Sequence, residues 1–169
     1  MLYEKMLGEE KIYTDNDKLV SKLDSLRVEG KNIVFTNGCF DILHLGHIEY
    51  LLRASTMGDV LVLGINNDDS IRMLKGVNRP IMSEEHRYHL MAALSFIDFV
   101  VPFSDSTPYE IIKHIKPDVL VKGSDYNVED IVGYDVVKSY GGEISTIETN
   151  LPPSIYSTTN IINKIKSID

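Results

Sequence analysis

The chain has one cysteine, Cys39, among its 169 residues. No intramolecular disulfide can form, and the composition fits a reducing compartment, so a cytoplasmic location is expected. Basic residues are in the minority: 17 Lys and Arg against 25 Asp and Glu give a net charge of -8. That balance argues against a general nucleic-acid surface, which displaces counterions with a basic stripe. Small anionic substrates stay open, because a few cations converging on one pocket dominate the local field of an acidic molecule. Long apolar runs are missing too: Val60-Leu61-Val62-Leu63-Gly64-Ile65 is far too short to span a bilayer, and the N-terminus lacks a signal-peptide apolar core. Neither a Walker lysine loop nor a G-x-G-x-x-G turn is present, which disfavours ATP hydrolysis by that machinery and dinucleotide redox chemistry.

With 43% hydrophobic residues the chain can bury one core and is too short for two ordinary domains. Residues 1–30 are expected to be an N-terminal extension and amphipathic helix packed on a domain of residues 31–169. Leu19, Val20, Leu23 and Leu26 recur at helical spacing over about 15–29, with Gly30 as C-cap. Strands are predicted at 33–36, 60–66, 99–101, 119–121 and 143–147, as apolar runs that suit a covered parallel sheet. Between them fall helices over 46–58, from a Ser83 cap to about 95, from Pro108 at the first helical position to 115, and over about 131–140; a last helix starts near Thr158. This alternation predicts an α/β, doubly wound, five-stranded parallel sheet of order 3-2-1-4-5, with ligands bound beyond the carboxyl ends of the strands.

Three segments with chemical potential fall at those ends. Thr36-Asn37-Gly38-Cys39-Phe40-Asp41-Ile42-Leu43-His44-Leu45-Gly46-His47 runs from the first strand into a helix. Gly38 permits a close turn whose amides near Cys39 and Phe40 can face an anion. His44 and His47 fall beside a helix N-terminus, and Gly46 keeps one wall bare, so two imidazoles can hydrogen-bond a phosphate under attack. After the fourth strand comes Lys122-Gly123-Ser124-Asp125-Tyr126, and Ser157-Thr158-Thr159 offers hydroxyls and free amides at a helix start. Lys75 and Lys122 are candidates for neutralising phosphate, with Arg72 and Arg79 as further cations. Asn66, Asp68, Asp125 and Tyr126 are expected beside the ligand, and Asp41 is expected to orient the turn. Cys39 reads as a packed thiol, and His86 and His89 as structural. Were the anion a triphosphate, Mg²⁺ would accompany it, held by phosphates and waters, so no protein metal ligand is assigned.

His44-Leu45-Gly46-His47 resembles the signature of the His-x-Gly-His nucleotidyltransferases. With Leu74-Lys75-Gly76, Arg79-Pro80, Val121-Lys122-Gly123, Gly141-Gly142 and Ser157-Thr158-Thr159-Asn160-Ile161-Ile162 in the same order, nearly the whole chain resembles the heptose 1-phosphate adenylyltransferases. The resemblance implies a Rossmann-like fold and a stand-alone transferase. ATP would be the nucleotide and a phosphorylated heptose the acceptor, in surface polysaccharide or lipopolysaccharide assembly. It also implies a homodimer and places Lys122 near the α-phosphate. On this reading His44, His47 and Lys122 are catalytic, while Thr36, Asn37, Gly38, Cys39, Phe40, Gly46, Ser157, Thr158 and Thr159 contact nucleotide or phosphate. Many members of the wider superfamily carry an arginine in the last helix, where this chain has Ile161 and Ile162. A cytidylyl- or adenylyltransferase for another small phosphate, and a nucleotide-binding module without catalysis, are the alternatives.

Overall fold

The computed structural model describes residues 8–151 and 155–168; residues 1–7 of the expected extension lie outside the described residues. Strands β1 (Ile33–Gly38), β2 (Val60–Asn66), β3 (Phe99–Phe103), β4 (Val119–Gly123) and β5 (Glu143–Ile147) form one parallel sheet in the order β3-β2-β1-β4-β5. The helices are α1 (Asn16–Val28), α2 (Leu45–Ser55), α3 (Asp68–Lys75), α4 (Glu84–Ala92), α5 (Tyr109–Ile115), α6 (Tyr134–Ser139) and α7 (Thr158–Lys166).

Successive strand residues face opposite ways, and both faces are covered, which is why the strands read as unbroken apolar runs. From β1, Ile33 and Phe35 join a core with Leu19 and Leu23 of α1, Ile112 of α5 and Val137 of α6. Val34 points into a second core with Leu51 of α2 and Met91 of α4. Strand β1 pairs with β2 from Ile33 to Gly38, but with β4 only at Val34–Val119 and Phe35–Leu120. Beyond Phe35 the two central strands part, opening a crevice where the strand order reverses.

The N-terminal segment covers the β3 border. Ile12 bridges Val100 in parallel, the Tyr13 amide donates to the Val100 carbonyl at 2.8 Å, and the Lys11 ammonium donates to the carbonyls of Leu94 and Ile97. No helix of the described residues is long and apolar enough to cross a membrane.

Several elements differ from expectation. Helix α3 has no counterpart among the expected elements: the Asn67 side chain accepts from the Ser70 amide at 2.8 Å and starts a helix. The helix expected over 131–140 begins only at Tyr134, because Gly133 at φ 92 cannot continue a right-handed helix and Val128–Asp130 makes a separate 3₁₀ turn. Helix α4 stops at Ala92, and α2 at Ser55, where the Thr56 hydroxyl donates to the Arg53 carbonyl. Pro108 stands one position before α5, and Ser83 occupies the cap of α4 without a side-chain cap bond. Gly30 follows the Glu29 cap of α1 at φ 79.

Candidate active site

At the mouth of the β1/β4 crevice lies a pocket of about 280 Å³, lined by Asn37, Gly38, Cys39, Phe40, Asp41, His47, Lys75, Arg79, Lys122, Tyr126 and Thr158, together with Tyr50 and Gly123. Each strand end contributes what its sequence places there. Asn37 leaves β1 and Lys122 leaves β4, and across the gap the Lys122 ammonium donates to the Asn37 side-chain carbonyl. Burial lowers the Lys122 pKa to about 8, against the opposing pull of Asp125 and Cys39. Below them the Tyr50 hydroxyl donates to the Val121 carbonyl at 3.2 Å and accepts from Thr36 at 2.7 Å, bridging the strands where their ladder has ended.

His44 is the N-cap of α2. Its Nδ1 accepts from the His47 amide at 3.3 Å, which places the proton of the neutral ring on Nε2. The two imidazoles stack at 3.6 Å and 21°. Burial holds the His44 pKa below its usual value. For His47, burial first, then His44 and Lys75, push the pKa down to about 3, so this ring is neutral at pH 7. Among the described residues His47 Nδ1 is a buried polar atom without a hydrogen-bond partner. Such an atom costs about 1–3 kcal/mol until something bonds it. Glycines shape the surroundings: a Cβ on Gly38 would stand 2.9 Å from the Phe40 ring, which itself packs edge-on against His47 at 5.0 Å. A Cβ on Gly46 would stand 3.1 Å from His44 Nδ1.

The far wall is the loop of residues 76–82. The buried Asp41 carboxylate accepts from the Ile81 and Met82 amides at 2.8 and 2.9 Å and from Arg79 Nε at 2.6 Å. Burial alone would raise the Asp41 pKa, but these donors together bring it below the ordinary value. Arg87, wholly buried, ties three segments at once: it donates to the carbonyls of Cys39, Asn66 and Met82 and to the Asp68 carboxylate at 2.8 Å.

The expected site residues therefore divide. The pocket gathers Asn37 to Asp41, His47, Lys75, Arg79, Lys122, Tyr126 and Thr158, with His44 and Gly46 alongside. Thr36 lies beneath it, bonded to Tyr50. The Asn66 carboxamide donates to Ser70 at 2.7 Å, and Asp68 is committed to Arg87, so both lie outside the pocket wall. Arg72 pairs with Asp69 and Asp68 on α3, away from the pocket. Asp125 acts on Lys122 through its charge, Ser157 caps α7 by accepting from the Asn160 amide at 3.2 Å, and Thr159 faces a neighbouring cavity. Tyr50 and Arg87 are not foreseen, since in the sequence each reads as an ordinary residue of an amphipathic helix.

Among the described residues, no three His, Cys, Asp or Glu side chains are grouped to hold a metal ion, and the carboxylate on the pocket wall, Asp41, is already engaged. The protein groups present do not fit a protein-built Mg²⁺ cage.

A switch-point crevice with a helix N-terminus, paired imidazoles and converging cations is built for the phosphates of a nucleotide. The chain belongs to the cytidylyltransferase-like family, whose model matches residues 35–164. It is 51% identical over 168 residues to the bifunctional protein HldE of Syntrophotalea carbinolica, covering 97% of this chain and 34% of that protein. With HldE of Geobacter metallireducens it shares 50% over 160 residues, 90% of this chain and 32% of the relative. The chain thus spans about a third of the length of these relatives. Among solved structures, the lipopolysaccharide core biosynthesis protein from Thermoplasma volcanium superposes with a TM-score of 0.60 at 27% identity, over 73% of this chain and 99% of that one. Pantoate-beta-alanine ligase from Francisella tularensis shares the fold, with a TM-score of 0.64 at 18% identity, over 90% of this chain and 72% of that one.

Proposed function

We propose that this chain transfers AMP from ATP to D-glycero-D-manno-heptose 1-phosphate, giving ADP-heptose and pyrophosphate. The observation that carries the reading is the convergence of His47, Lys75, Arg79, Lys122 and Thr158 on one pocket at the parting of β1 and β4. The ordered motifs that resemble heptose 1-phosphate adenylyltransferases, and the identity to HldE along nearly the whole chain, support the choice of acceptor.

In this reading His44 and His47 donate hydrogen bonds to the α-phosphate oxygens, where charge builds as the acceptor phosphate attacks. Lys122 offsets the same charge, Lys75 and Thr158 at the start of α7 hold the outer phosphates, and Arg79 meets the acceptor phosphate. Tyr126 and Asp125 border the nucleoside side. The acceptor oxygen is already anionic, so the protein's part is positioning and electrostatic stabilisation.

Purified protein with MgATP and the heptose 1-phosphate is expected to release pyrophosphate and form ADP-heptose, and His44→Ala or His47→Ala to lower kcat about a hundredfold to a thousandfold. Both anomers, CTP and GTP, and the acceptors glycerol 3-phosphate and phosphopantetheine complete the panel. Silence with both heptose anomers alongside turnover of another acceptor would overturn the assignment.

A further inference from the structure

We infer that the sugar of the acceptor lies in the cavity between the 76–82 loop and α7, with Asn78 and Asn163 determining specificity. This rests on the sugar-phosphate reading above. The cavity measures about 490 Å³; Asn78, Arg79 and Ile81 form one wall, and Ile162, Asn163 and Lys166 the other.

Continuity is the first argument. Arg79 lines both this cavity and the nucleotide pocket, and Asp41 grips its Nε at 2.6 Å, so the guanidinium is fixed at the junction. On the opposite wall Thr158 borders the pocket, and the next residue, Thr159, borders the cavity. A phosphorylated sugar seated here presents its phosphate to Arg79 and, past it, to the α-phosphorus.

Chemistry is the second. Two carboxamides each offer a donor and an acceptor, the pattern a pair of neighbouring hydroxyls requires. Ile81 and Ile162 give apolar surface for the carbon face of a ring, while Arg79 and Lys166 concentrate positive charge in a chain of net charge -8. Other cavities lack this set. The one beyond β2 and β3, about 450 Å³, carries Glu84, Asp105 and Glu110, which repel a phosphate. The groove of Met82, Leu90 and Ala93 offers no polar side chain except two imidazoles. Neither shares a wall residue with the nucleotide pocket.

From this seat one oxygen of the acceptor phosphate dianion forms a new bond to the α-phosphorus. The bridging bond between the α- and β-phosphates breaks, and its electron pair leaves with pyrophosphate. No proton has to be removed from the acceptor.

The test compares Asn78→Ala, Asn163→Leu and the double variant with wild type, using pyrophosphate release to measure KM for each substrate. The acceptor is whichever phosphate the wild type turns over, and thermal melting verifies folding. Each single variant is expected to raise the acceptor KM about tenfold and the double variant further, with the ATP KM within about twofold of wild type. A rise in the ATP KM alone would make the cavity a nucleotide subsite, and unchanged KM values would exclude it from binding; either overturns the inference. Failure of the heptose reading shows instead in the wild type, as turnover of a different acceptor.

Discussion

At neutral pH the half-buried His47 ring is uncharged, so it meets a phosphate as a hydrogen-bonding group and not as a cation. Its depressed pKa also has a consequence for folding. Below pH 6.5 the unfolded chain takes up a proton that the folded ring refuses until about pH 3, so stability falls as pH drops through that window. Urea unfolding at pH 7 and pH 4 is expected to show a smaller loss for His47→Asn than for wild type. Lys122 titrates on the other side. It is cationic below about pH 8 and neutral above, so the affinity for anionic phosphate fades with rising pH. The alkaline limb of kcat/KM is expected near pH 8 in the wild type, and Lys122→Met to lower kcat about a hundredfold and flatten that limb. At this scale the sequence was informative where chemistry and local order coincide, as in His44 to His47. It was silent on partners distant along the chain: nothing in the neighbourhood of Asp68 says that its carboxylate holds Arg87, 19 residues away.

Among the elements, the connections at the carboxyl ends of the strands are held more firmly than loops usually are. Arg87 of α4 joins the turn after β1, the end of β2 and the start of α3, while Asp41 fastens the 76–82 loop. Replacing a wholly buried arginine leaves the Asp68 carboxylate and three carbonyls without their donor. Arg87→Met is accordingly expected to destabilise the fold by about 3–5 kcal/mol in chemical denaturation, far more than loss of the exposed Arg72–Asp69 pair. Strand positions were legible because apolar runs bounded by polar turns survive any tertiary context, and the β5 span is the one expected. Helix ends were less so. The start of α3 depends on the Asn67 cap, and the start of α6 on a left-handed Gly133, and neither choice shows in hydrophobic spacing.

For the molecule as a whole, strand order and the place of the crevice followed from the alternation of strands and helices. Since the pocket contains a buried nitrogen without a partner and an ammonium stripped of water, ligand binding should feed back on global stability. ATP at a hundred times its Kd is expected to add about 2.7 kcal/mol, raising the melting temperature by roughly 5–10 °C, and scanning fluorimetry would read the shift. The N-terminal segment along β3 bears on a different hazard. With Ile12 and Tyr13 occupying that border, intermolecular strand addition has only the β5 side to use among the described residues. Edge-to-edge contact there ends in a pair, because a molecule with a single open margin cannot propagate a fibril.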